Sequence, residues 1–213
     1  MSVSHKAEKL VAEFTNGNPK LGDIKKRAAE IKVDHALALE LWGSGELNPR
    51  LLATLIFDKK QLSETVIEQL AADLLQLEGF ERDQLTDWLL ANQFMKDKKL
   101  TALMESWEDH PGPIHRRLFW YHQARLRWTG QTPPPNSAHL MDSLEARMAT
   151  EQPGVQWAMN FCACQIGLNE PKFRDRCLAL GEKLGLYKGD HVSKNCTPSY
   201  LPEFIRVEAA KRA

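Results

Sequence analysis

Helical periodicity runs through almost the whole of this chain, and the strict alternation of a half-buried strand is nearly absent. That pattern leaves packed helices as the way to bury a core. Leu10, Val11 and Phe14 share a stripe after Ser4, and a second helix is expected from Gly22 to Ile31. His35 to Trp42 reads as an apolar helix stopped by Gly43-Ser44-Gly45. Asn48-Pro49 looks like a cap with proline at the first helical position, opening a helix to about Phe57. Ser63 caps a segment with Val66, Leu70, Leu74 and Leu77 at helical spacing, and Arg82 to Phe94 follows with Leu85, Trp88 and Leu89 inward.

Leu100 to Trp107 and Ile114 to Trp128 flank the breaker His110-Pro111-Gly112-Pro113. Ser137 is expected to cap Leu140 to Met148, Pro153 to open a helix through Ile166, Phe173 to Leu184 to form the last strong helix, and Leu201 to Lys211 to dock as a tail. The sum is about eleven short helices joined by short turns, which fits a stack of antiparallel pairs. No strict repeat period is visible, so a compact irregular bundle stays open. One domain over residues 1–213 is expected, with an internal linker at 129–136, where Pro133-Pro134-Pro135 stands.

The 28 basic and 28 acidic residues cancel, so any electrostatic argument must be local. Seven acids lie between Glu64 and Asp87, opposed by Arg82, whereas Ile114 to Trp128 carries Arg116, Arg117, Arg125 and Arg127 and no acid. Phe119, Trp120, Tyr121 and Trp128 are interleaved with those arginines. Guanidinium groups neutralise phosphates and flat rings pack on bases or sugars, so the pattern suits nucleic acid. An amphipathic helix whose arginines pair with the acidic helices before it explains the same residues. Val155 to Ile166 is apolar on two faces, with Val155, Met159, Cys162 and Ile166 on one and Trp157, Phe161 and Cys164 on the other. Such a helix is sandwiched or lines a pocket.

Asp83 and Asp87 share one helix face, where like charges cost a few tenths of a kcal/mol unless a cation offsets them. The three histidines His110, His115 and His122 lack zinc-site spacing, and Gly43-Ser44-Gly45 lacks that of a phosphate loop, so neither metal nor cofactor is expected. Cys162, Cys164, Cys177 and Cys196 contain no C-x-x-C pair and read as reduced thiols. The amino terminus lacks a signal-peptide core, and no stretch approaches the ~18 apolar residues of a membrane span. The expectation is a soluble cytoplasmic monomer without a membrane partner.

Three segments resemble the AlkD-like DNA alkylation repair family: His35 to Ile56 (HALALELWGSGELNPRLLATLI), Val155 to Gly167 (VQWAMNFCACQIG), and Ala179 to Ile205 with its GEKLGLYK and VSKNCTPSYLPEFI stretches. The resemblance implies an all-α, HEAT-like or ARM-like superhelical solenoid of antiparallel helix pairs. It also implies a protein that grips alkylated duplex DNA and hydrolyses the N-glycosidic bond of cationic N3- or N7-alkylpurines. By the same resemblance Asp87, in QLTDWLLANQF, takes the place of the family's aspartate, and Arg117, in IHRRLFW, that of its arginine. Arg116 joins Arg117 on phosphate, and Trp157 with Phe161 packs on the lesion nucleotide. Asp83 and Phe161 stand where the family has tryptophans, which Trp88 or Trp120 could replace as DNA-facing rings. Two alternatives stay open: a non-catalytic solenoid that recognises DNA structure, and a protein-interaction scaffold.

Overall fold

A computed structural model describes residues 3–17 and 19–212, and these contain helices and no strand. The chain divides into two compact units, Met1–Trp107 and Glu108–Ala213.

The first unit holds α1 (His5–Asn16), α2 (Leu21–Ile31), α3 (His35–Gly43), α4 (Leu47–Ile56), α5 (Glu64–Leu75), α6 (Gly79–Asn92) and α7 (Lys98–Glu105). Side-chain oxygens start several of these helices by accepting from otherwise orphaned N–H groups. Ser4 caps α1, Asp34 caps α3, Ser63 caps α5 and Asp97 caps α7. Helix α4 is the centre of the unit and packs on α1, α2, α3 and α6. Its residues Leu51, Leu52, Ala53, Thr54 and Ile56 are all at most 1% exposed.

Two expectations change here. Asn48 is not the cap of α4, which begins at Leu47 behind Glu46. The Asn48 amide donates instead to the Phe14 carbonyl at 3.2 Å, tying α4 to the end of α1. Trp107 lies beyond α7 yet is buried, its ring edge-on to Phe94 at 5.5 Å.

The second unit holds α8 (Pro113–Trp128), α9 (Ser137–Arg147), α10 (Pro153–Asn169), α11 (Arg174–Leu184) and α12 (Leu201–Ala210). Both α8 and α10 open on a proline, whose missing N–H is no loss in a first turn. They pack along each other, and α10 also touches α9, α11 and α12. Residues 129–136 are non-helical and join α8 to α9 inside this unit. Ser137 is the first residue of α9 rather than its cap, the position Asn136 holds. Two glycines let α12 come close. A Cβ on Gly167 would lie 2.5 Å from Ile205 Cδ1, and one on Gly181 2.5 Å from Pro202 Cδ. Among the described residues, no helix is long and apolar enough to cross a membrane.

Candidate nucleic-acid interface

Helix α8 divides its four arginines between two faces, Arg116 with Arg127 and Arg117 with Arg125, because successive residues turn by about 100°. The structure sorts them accordingly. Arg116 is half-buried, with Nη2 3.1 Å from Glu151 and Nη1 donating to the His110 and Pro111 carbonyls at 2.7 and 2.8 Å. Arg127 is buried, donating from Nε to Glu170 at 2.7 Å and from Nη2 to Ser137 Oγ at 2.7 Å. These two bind the unit together.

Arg117 and Arg125 join the aromatic rings instead. The Arg117 guanidinium lies 5.2 Å from the Trp157 ring centre and 6.0 Å from that of Tyr121, and its Nη1 donates to the Gly154 carbonyl at 2.7 Å. Arg117 is 3% exposed, so it fixes the rings from behind. The Arg125 guanidinium lies 5.8 Å from Tyr121 and 5.5 Å from Trp128. Cation–π attraction of this kind is worth about 0.5–2 kcal/mol per pair.

The rings form one continuous wall. Trp157 and Phe161, one turn apart on α10, are stacked at 5.5 Å with planes 16° apart. Trp128 and Phe204 each meet Phe161 edge-on, at 5.7 and 6.0 Å, and Tyr121 is edge-on to Trp157 and tilted against Phe161. Beneath the wall is a cavity of about 140 Å³ lined by Trp157, Asn160, Phe161, Cys164, Thr197, Ser199 and Phe204. Asn160 closes it by donating to the Ser199 carbonyl at 2.8 Å. The second apolar face of α10 therefore lines a pocket, while Val155, Met159, Cys162 and Ile166 are core at no more than 1% exposure.

Of the expected DNA-facing residues, the structure brings Arg117, Trp157 and Phe161 together. Trp120 must be corrected: it is 1% exposed and packs edge-on against Phe119 in the core, where no DNA can reach it. Asp87 belongs to the first unit, half-buried on α6 one turn from Asp83. Asp83 is held by Arg82 at 3.3 Å. Trp88 is half-buried, not inward, with Lys25 Nζ 5.7 Å from its ring centre.

Tyr121, Arg125 and Trp128, which the sequence offers only as part of the arginine–aromatic pattern, complete the wall together with Phe204, which it does not offer. Their signal was available for α8: residues 117, 121, 125 and 128 follow one stripe at i, i+4, i+8 and i+11.

Electrostatics on α8 bear on stability. Burial, with the Arg125 cation adding to it, pushes His122 down to about 4 from its ordinary 6.5. The unfolded chain thus takes up a proton between pH 6.5 and about 4 that the folded chain refuses. The stability held by the neutral ring is present above pH 6.5 and lost as pH falls towards 4, by about 1.4 kcal/mol per pH unit. Urea unfolding of His122→Gln across this window should show a slope shallower by one proton. Equal slopes in the two proteins would mean that His122 titrates normally.

The architecture has a solved counterpart. One structure aligns with a TM-score of 0.67, over 98% of this chain and 89% of that chain, at 14% identity. It is described as one of a new family of proteins related to the HEAT-like repeat DNA glycosylases with affinity for branched DNA structures. The fold is therefore that of the HEAT-like repeat proteins, all-helical as expected. Residues 15–194 match the profile of the DNA alkylation repair enzyme family, and the chain belongs to that family. No curated protein sequence matches it significantly.

Proposed function

We propose that the chain binds duplex DNA through the arginine-backed ring wall and removes cationic N3- or N7-alkylpurines by hydrolysing their N-glycosidic bond. The observation that carries this reading is the wall itself: an acid-free helix face on which two guanidiniums sit against five connected rings. Such rings stack on bases, and the Arg125 guanidinium, held between Tyr121 and Trp128, offers a charge to an anionic backbone.

The chemistry asks little of the protein. An N3- or N7-alkylated purine is already cationic, so when the C1′–N bond breaks, its electron pair leaves with the base and renders it neutral. The sugar gains oxocarbenium character, water attacks C1′, and the surplus proton passes to solvent or to a carboxylate. In this reading Asp87 stabilises the developing sugar cation and orients the water. Trp157 and Phe161 pack against the lesion nucleotide, and Arg117 holds the rings in place with its charge behind them.

A second reading keeps the binding and omits the chemistry. Asp83 and Phe161 favour it, since each replaces a tryptophan of the resemblance, and so does the branched-DNA affinity of the structural neighbour. Incubation with N-methylated duplex DNA, followed by chromatography of released 3- and 7-methylpurines, separates the two. Release supports the enzyme. Salt-dependent binding without release supports the second reading, and failure of both leaves a protein-interaction scaffold.

A further inference from the structure

We propose that Trp128 and Arg125 form a receiving site for an unpaired nucleobase and its phosphate, which makes DNA containing an unstacked base the preferred ligand over intact duplex. The proposal rests on the DNA-binding reading above and adds to it the class of DNA.

Trp128 stands apart from the other tryptophans. Trp42, Trp107 and Trp120 are at most 5% exposed, and Trp88 and Trp157 are half-buried, but Trp128 is 52% exposed. A single exposed apolar side chain is ordinary on a protein surface, although an indole left in water forgoes the free energy that burial would recover. This ring does not dangle. Phe161 meets it edge-on at 5.7 Å with planes 83° apart, and the Arg125 guanidinium lies 5.5 Å from its centre. It is an oriented platform at the last residue of α8, beside the Thr129 cap and the left-handed Gly130.

Arg125 supplies the second observation. Its Nε is buried and lacks a hydrogen-bond partner among the described residues, and Tyr121 and Trp128 hold the guanidinium by its faces. A cation held by rings, rather than by a carboxylate, keeps its charge available for an anion.

The geometry selects the class of DNA. Inside a duplex both faces of every base are covered by its neighbours, so an indole can stack only on a base at an end, beside a gap, at a junction or extruded from the helix. The carboxy-terminal end of a helix carries partial negative charge, so α8 itself gives phosphate no help there. Stacking therefore provides the selectivity, and Arg125 the single phosphate contact.

The test uses the full chain and two labelled DNAs, an intact duplex and the same duplex carrying a short single-stranded gap, titrated by fluorescence anisotropy. The wild type is expected to bind the gapped DNA more tightly, with tryptophan emission quenched. Trp128→Ala should lower the ratio of gapped to intact affinity by roughly 5- to 100-fold, the range of one lost base–aromatic stack. Trp128→Phe should restore part of it, which guards against a misfolded alanine variant. Arg125→Ala should reduce the salt slope of gapped-DNA binding by about one unit, and Arg125→Lys should restore it. A ratio near one in the wild type, or one unchanged in Trp128→Ala while intact duplex still binds, overturns this inference alone. Failure to bind either DNA overturns the DNA-binding reading along with it.

Discussion

Asp87→Asn is expected to slow the release of methylated purines by about 10²- to 10³-fold while leaving affinity for the same duplex within about twofold. The substitution keeps the size and shape of the side chain and removes one negative charge. In the ground state the lesion bears its positive charge on the base. At the transition state that charge has moved onto the sugar, and a nearby carboxylate gains most there. A stabilisation of about 3–4 kcal/mol specific to the transition state corresponds to this loss in rate. Asp87 is half-buried, which reduces the solvent screening that weakens an exposed charge. Asp83→Asn, one turn away, is the control: the resemblance gives the family's carboxylate to position 87 and a tryptophan to position 83, so the loss of Asp83 should change the rate by less than the loss of Asp87. Single-turnover rates for the three proteins decide the matter. Equal rates for wild type and Asp87→Asn would remove this carboxylate from the chemistry.

The second large effect concerns Arg127, whose side chain is 1% exposed. Its guanidinium reaches Glu170 at 2.7 Å, the Gln123 carbonyl at 2.9 Å, Ser137 Oγ at 2.7 Å and Asn136 Oδ1 at 3.3 Å. It thereby joins the last turn of α8 to the first turn of α9 and to the residue that ends α10. Arg127→Met keeps the stem and removes the charge and donors, leaving Glu170 and Ser137 partly unsatisfied. A cost of about 3–5 kcal/mol is expected, towards the lower end because Glu170 is 22% exposed and can recruit water. Urea midpoints at neutral pH measure it. Adding Glu170→Gln should recover part of the loss, since the orphaned charge then disappears. A cost below about 1 kcal/mol for Arg127→Met would show that the other contacts hold the α8–α9 junction without it.

Particular residues show what could be read without coordinates. Ser4, Ser63, Pro113 and Pro153 mark helix starts by local chemistry, and each stands at a start. Asn48 carries the same local signal, yet its amide serves Phe14, a partner 34 residues away that no local rule reveals. The α8 arginines were legible as a group but not as individuals. Glu151 and Glu170, which pair with Arg116 and Arg127, come from later in the chain, so tertiary packing and not local sequence sets these pairs. Trp120 failed for a related reason: α8 is buried on most of its circumference, and periodicity does not say which aromatic meets solvent on such a helix. Phe204 was out of reach, because the close approach of α12 depends on Gly167 and Gly181.

The sulfur atoms carry a practical consequence. Burial pushes the Cys162 and Cys177 thiols up to about 12 and that of Cys164 well above its ordinary value, so at neutral pH all three resist alkylation. Cys196 is exposed, next to Thr197, which lines the cavity under the rings. A maleimide dye would therefore attach at one position beside the proposed binding face, giving an optical reporter of occupancy without any engineered cysteine.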